Sequence, residues 1–341
     1  MLNTVYQLVA PRRIDLAIED VDVAPDALVV RPTHLSICHA DQRYYQGMRD
    51  PKVLAQKLPM AMIHEAHGCV VHDGSGTFSA GQRVVLVPNL PVEEHPFIAE
   101  NYLRTSKFRS SSADGFMQEL VVTDAQRVAA LPEGINLEVA AFTELVSVAM
   151  HVIDRFDAVA HLGRGAFGVW GDGNMGYIVA LLLHTRFPNT ELHVFGKNAD
   201  KLEDFTFATK THLITEVPDT LLIDHAFECV GGAGSVDAIQ QIIDHIQPEG
   251  TIALTGVSEK TVPIETRMVL EKGLRLLGSS RSGIEDFHNT LRLFEENHQV
   301  VAQLERIIGD VIDVYGTGDI AAAFAADRTR HFGKTIMRWL V

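Results

Sequence analysis

The chain has 341 residues, 46% of them hydrophobic and 21% charged, which suits a soluble enzyme with two domains and sizeable cores. Its formal net charge of −15 opposes attraction to nucleic acid or to an anionic membrane surface, so local cations must hold any anionic ligand. Three cysteines (Cys38, Cys69 and Cys229) fit neither a disulfide framework nor a zinc ribbon, and no leader pattern or bilayer-length apolar run stands out; a cytoplasmic protein is expected.

Residues 1–147 read as strand-rich, with short β-type runs at 2–10, 26–32, 68–72, 82–88 and 116–122 separated by Gly, Pro, Asp and Ser. An apolar stretch with helical spacing over 138–154 leads out of this region. Strand and helix runs then alternate, with strands at 167–171, 191–195, 212–215, 223–229, 251–255 and 274–280 and helices at 174–187, 199–207, 234–247 and 265–272. Such alternation predicts an α/β chain whose 148–283 segment is a Rossmann doubly wound parallel sheet. An amphipathic helix over 284–297 and a tail ending in the strand-like run 331–341 are expected to return to the first domain, so that 284–341 completes it.

The most informative stretch is a buried-strand run that stops at Gly171, turns through Gly173 and enters a helix past Asn174, Met175 and Gly176. In this G-x-G-x-x-G, Gly171 permits the turn, Gly173 lets a pyrophosphate approach the backbone, and Gly176 lets helix and strand pack closely. The helix start adds free N–H groups and a positive dipole end. Where an acid usually receives the adenosine ribose, the second strand ends in Gly196 and Lys197, with Lys201 one turn on. No carboxylate repels a 2′-phosphate there, which favours NADP(H) over NAD(H). Cys229, Val230 and Ser279 fall at strand ends where the nicotinamide is expected.

A second chemical signal lies in Cys38, His64, Glu65 and Glu144. A thiolate, an imidazole and a carboxylate suffice to ligate a catalytic zinc with one exchangeable position, although each residue alone has an ordinary core role. Their order relative to the glycine turn resembles the zinc-dependent medium-chain dehydrogenase/reductase family. Residues 37–41 are similar to its C-x-[ST]-D segment, 62–68 to G-H-E-x-x-G, 80–84 to G-D-R-V and 114–119 to G-G-F-A-E. The resemblance implies a GroES-like catalytic domain over 1–147. It implies zinc ligation by Cys38 and His64, with Glu65 and Glu144 completing the set directly or through water, and Asp41 orienting His64.

Within the family, segments 37–45 and 106–119 are most like enzymes that reduce phosphorylated pentoses, which implies an NADPH-dependent reductase of a phosphorylated ketopentose serving cell-wall or capsule polymer synthesis. Zinc would polarise the ketone while the nicotinamide delivers hydride, with the proton coming from Glu65 or Glu144 through a zinc-bound water, or from a substrate hydroxyl. Arg43, Lys107 and Arg109, beside Ser110, Ser111 and Ser112, are candidates for a phosphate handle; Arg49, Lys52 and Lys57 are weaker ones. The alternatives are a neutral polyol dehydrogenase and a non-catalytic NADPH-binding protein. Three departures from the family pattern stand out: Ile63 replaces the glycine before His64, Ala40 removes the hydroxyl of the usual proton relay, and residues 88–114 contain no cysteine. The last implies one catalytic zinc and no structural zinc. A homodimer is expected by analogy, with the last strand of the sheet as an exposed edge.

Overall fold

Strand pairing in the first part of the chain centres on Leu28–Ser36, buried along most of its length, in a computed structural model that describes residues 1–329 and 332–341. Among the described residues two compact units form, Met1–Ser147 with Ser282–Val341, and Val148–Arg281. In the first unit Leu28–Ser36 pairs antiparallel with Glu65–Asp73 on one side and with Lys334–Trp339 on the other. Lys334–Trp339 in turn pairs with Ile308–Val314, so the end of the chain is an interior strand of a seven-stranded sheet. Its apolar residues Met337 and Trp339 join Val30, Leu35, Met62 and Phe116 in one core, and the ring of Phe324 stacks on Tyr45 at 4.1 Å between centroids. Of the tail 331–341, His331 lies outside the described residues.

Two expectations for this unit change. Only Val121–Thr123 of the run 116–122 is a strand. The amides of Gly115, Phe116 and Met117 donate instead to the carbonyls of Ala61, Ile63 and Met62, so this segment wraps the turn that carries His64. A Cβ at Gly115 would lie 2.3 Å from two of those carbonyl oxygens, which makes glycine the only residue that permits the approach. The strand Arg13–Asp20, paired with Leu2–Ala10, was missed; its charged residues interrupt the apolar pattern, and Leu16 and Ile18 are exposed.

The second unit is a six-stranded parallel sheet in the order Lys210–Leu213, Glu191–Gly196, Ala166–Trp170, Ile223–Glu228, Ile246–Leu254, Arg275–Gly278. This 3-2-1-4-5-6 arrangement is the doubly wound dinucleotide-binding order. Strands buried on both faces read as apolar runs, and the Trp170 ring stacks on Phe195 at 3.8 Å. The helix expected over 199–207 is confined to Ala199–Leu202. Phe205 and Phe207 both pack edge-on against Tyr177, each at 5.2 Å, and that burial outweighs continuation of the helix. Among the described residues, no helix is long and apolar enough to cross a membrane.

Two imidazoles stack across neighbouring strands of the first unit, His34 on His67 at 4.7 Å, with His67 Nε2 against Leu137 O at 3.0 Å. Burial, assisted by the charge of His34, lowers the His67 pKa from 6.5 to about 3, so the ring is neutral in the fold. Below pH 6.5 the unfolded chain takes up a proton that the fold refuses. Stability is therefore retained above pH 6.5 and falls toward pH 3, by at most about 1.4 kcal/mol per pH unit from this group. Urea midpoints measured from pH 8 to pH 5 are expected to show this loss in the unmodified chain and a shallower one in His67→Gln; identical slopes would contradict it.

Candidate metal centre and dinucleotide site

In the first unit, the helix His39–Tyr45 begins at Cys38, whose extended backbone places it as the N-cap residue. The Asp41 carboxylate reaches back from the first turn and accepts from Cys38 N at 3.1 Å. Its other oxygen accepts from Ile63 N at 3.2 Å and Ser110 Oγ at 2.8 Å, and faces His64 Nδ1 at 3.5 Å. Asp41 is wholly buried. Burial alone would raise its pKa, but the charge of His64 and hydrogen bonds from His64, Ser110 and Cys38 N hold it below the usual carboxylate range. Ile63, in place of the family's glycine, keeps a left-handed backbone at φ 72° although its side chain is branched and fully buried. That conformation costs on the order of 1–3 kcal/mol, and the bond from Ile63 N to Asp41 helps to hold it.

Donor atoms of Cys38, His64 and Glu65 all lie within 4.8 Å of one another. One sulfur, one imidazole nitrogen and one carboxylate oxygen are a donor set that suits a catalytic zinc. Burial lowers the His64 pKa, but Asp41 and Cys38 outweigh it and raise the value well above 6.5, so binding a cation here displaces a proton. Glu144, 4% exposed in the first turn of the helix Thr143–Val159, stands outside the three-residue group but within the electrostatic reach of His64, Glu65, Lys334 and Asp41. Burial pushes its pKa up to about 7 against the pull of His64.

Lys334 was not legible as a site residue. Its ammonium, 2% exposed, lies 2.9 and 2.8 Å from the two oxygens of Glu65 and also donates to Ile37 O at 2.9 Å. A lysine at the head of the buried run Lys334–Met337 is the signal that points to it, since a buried ammonium needs a partner.

The phosphate candidates separate. Arg109 is corrected: it is 9% exposed, its guanidinium donates to Asp114 O at 3.2 Å and Val122 O at 3.0 Å and lies over the Phe116 ring, and burial lowers its pKa to about 10. Those contacts make it a brace for the 108–123 segment through two of its five donors, while Nε has no hydrogen-bond partner among the described residues. Arg43 is half-buried on the helix His39–Tyr45, and Lys107 is exposed on Lys107–Phe108, whose Phe108 ring lies 5.4 Å from His64.

In the second unit the glycine turn has the local geometry its spacing implies. Gly171 has φ 133°, and a Cβ on Gly176 would lie 1.9 Å from Gly171 O. Gly173 caps the helix Asn174–Arg186 and has open space where its side chain would be, leaving the amides near Asn174 and Met175 approachable. Asp172, between the glycines, was missed. Its carboxylate accepts from Lys197 N at 2.8 Å and from Asn198 N and Asn198 Nδ2, both at 2.9 Å. A Cβ on Gly196 would lie 2.7 Å from Asp172 Cβ, so Asp172 occupies the space beside the second strand's end. Lys197 is exposed and Lys201 half-buried beyond that turn. At the ends of later strands, Cys229 is a neutral thiol pushed up to about 12 by burial, with Thr255 Oγ1 at 3.3 Å from its sulfur. Val230 is 38% exposed and Ser279 7%. Buried Glu228 gathers the amides of Val230, Gly231 and Gly256, so one carboxylate fixes two strand-end loops.

The Alcohol dehydrogenase GroES-like domain profile matches residues 24–133, and the Zinc-binding dehydrogenase profile matches residues 197–296. The chain is 52% identical over 339 residues to the ribulose-5-phosphate reductase of Bacillus spizizenii, covering 99% of each. It belongs to the zinc-dependent medium-chain dehydrogenase/reductase family. Another relative in the family, the ribulose-5-phosphate reductase of Streptococcus pneumoniae, is 43% identical over 100% of this chain and 98% of its own. A crystal structure of S. aureus TarJ in complex with NADPH is similar at a TM-score of 0.89 and 44% identity, covering 100% of both chains.

Removing the Lys334 ammonium leaves Glu65 buried without its cation, which typically costs about 3–5 kcal/mol. Lys334→Met is expected to lower the urea midpoint accordingly and Lys334→Arg to lower it less; an unchanged midpoint in Lys334→Met would remove the pair from its structural role.

Proposed function

We propose that this chain is an NADPH-dependent, zinc-containing reductase that converts D-ribulose 5-phosphate to D-ribitol 5-phosphate, the precursor of CDP-ribitol for teichoic acid or capsule polymers. The observation that carries this is the buried Cys38, His64 and Glu65 group with Glu144 beside it, in a chain sharing about half its residues with ribulose-5-phosphate reductases. A bound zinc ion supplies Lewis acidity toward a ketone oxygen. Cys38, His64 and Glu65 would hold it, and Asp41 would fix the imidazole so that its other nitrogen faces the ion. Lys334 balances the carboxylate of Glu65.

Glu144 is the proton donor in this scheme, because Ala40 has no hydroxyl and a carboxyl group that exchanges its proton near pH 7 is suited to the task. In the second unit, the amides after Gly173 would receive the pyrophosphate, while Asp172 fixes the turn after Gly196 through the amides of Lys197 and Asn198, and Lys197 and Lys201 would offer cations to the 2′-phosphate. The crystal structure of TarJ with NADPH supports that preference. One catalytic zinc without a structural one is supported by the chain's cysteines, Cys38, Cys69 and Cys229, none of which falls in 88–114. The protein is taken as a cytoplasmic homodimer, with Arg275–Gly278 ending the sheet as the edge strand.

Steady-state assays of D-ribulose 5-phosphate and D-ribulose with NADPH and NADH test the proposal. The phosphorylated ketose with NADPH is expected to be turned over fastest. Equal rates with D-ribulose would favour a neutral polyol dehydrogenase, and no NADPH oxidation with retained binding would favour a non-catalytic protein. Glu144→Gln is expected to cut turnover ~10²–10⁴-fold with zinc retained; an unchanged rate would remove Glu144 from proton transfer.

A further inference from the structure

A second cluster of cations lies one helical turn from Asp41. Tyr44, 3% exposed, is on the same helix, His39–Tyr45, three residues after Asp41. The guanidinium of Arg49 sits 4.7 Å from the centroid of its ring, and the ammonium of Lys57 sits 5.5 Å from it. Lys57 Nζ donates to Tyr44 Oη at 2.9 Å and to Ser111 Oγ at 3.1 Å. Ser111 follows Ser110, whose hydroxyl bonds Asp41 and which adopts a left-handed backbone with φ 60°. Both sides of the cluster are therefore tied through Asp41 to the segment that carries His64.

We propose that Lys57, Arg49, Tyr44 and Ser111 form the seat for the terminal phosphate of the substrate. The proposal rests on the phosphorylated-ketose function given above and is preferred to Arg109, which is buried over Phe116 and spends two donors on backbone carbonyls. Lys57 is half-buried, both of its hydrogen-bond partners are neutral oxygens, and no carboxylate pairs with it among the described residues. An ammonium has three donors, so one is left for a ligand. Lys57 lies off the hydroxyl end of Tyr44 and Arg49 over its ring, and a phosphate is the anion that a guanidinium fork and an ammonium bind together.

The ordinary alternative is that Lys57, at the last turn of the helix Pro51–Lys57, only offsets that helix's dipole. Its contacts argue otherwise, since they run to Tyr44 and Ser111 and not to the carbonyls that end its own helix. Tyr44 and Ser111 act as positioning residues here, fixing the ammonium so that its remaining donor is aimed.

The test compares KM and kcat for D-ribulose 5-phosphate and D-ribulose in the unmodified zinc enzyme, Lys57→Met, Arg49→Met and Arg49→Lys, with inorganic phosphate as a competing probe. Losing one charge-assisted contact of ~1.5–3 kcal/mol is a ~10–150-fold change, so Lys57→Met is expected to raise KM for the phosphorylated ketose by about that factor. Its preference over D-ribulose should collapse toward parity, and phosphate inhibition should weaken in step. Arg49→Lys is expected to fall between Arg49→Met and the unmodified enzyme, and NADPH fluorescence reports whether each variant is folded. Should Lys57→Met not fold, the arginine variants and phosphate competition in the unmodified enzyme decide. An unmodified enzyme that prefers D-ribulose 5-phosphate, with variants that keep both that preference and phosphate inhibition, would overturn the seat alone. An unmodified enzyme with no such preference would overturn the proposed function, and the seat with it.

Discussion

The carboxylate of Asp41 is the point on which the first unit's chemistry depends. It receives the amide of Cys38 at the start of one helix, the amide of Ile63 in the turn before His64, and the hydroxyl of Ser110 from a third segment. Its remaining contact is His64. A buried carboxylate is stable only when its lone pairs are satisfied, so these three segments converge at one distance set by hydrogen-bond length. That convergence puts a thiol and an imidazole side by side, and it also compensates a branched residue at positive φ.

Charge balance then extends the arrangement outward. Glu65 is fully buried next to His64 and is neutralised by Lys334, which the chain supplies from the strand that closes the sheet. Burial of Glu144 beside this pair holds its proton near neutral pH. Covalent continuity through the helix from Cys38 to Tyr44 carries the same frame to Arg49 and Lys57, where the sign of the charge is positive. Cys38, His64 and Glu65, with Lys334 as the partner of Glu65, are thus held in one hydrogen-bonded frame.

Legibility in the sequence followed the range of the interaction. The glycine turn was readable because each glycine answers a local backbone demand: Gly171 a positive φ, Gly176 the approach of Gly171 O, Gly173 an open face. The alternating strands and helices of the second unit were readable for the same reason, their period being local. The candidate metal ligands were readable mainly through family likeness, since nothing in the spacing of Cys38 and His64 brings them together. Lys334 and Glu65 are 269 residues apart and meet only after the last strand inserts into the sheet. Asp172 was passed over as a variable position of the glycine motif, and its role depends on a strand that follows the intervening helix. Lys57 was placed below Arg109 by distance from the serines in sequence, whereas Arg109 is buried over Phe116 and Lys57 contacts Tyr44 and Ser111, pairings that local sequence does not show.

Zinc K-edge X-ray absorption on the purified protein tests the central claim most directly. The expected shell has one sulfur at ~2.3 Å, from Cys38, and the other ligands as nitrogen or oxygen at ~2.0–2.2 Å. A shell with two or more sulfurs, a shell with none, or a protein that takes up no zinc would contradict it.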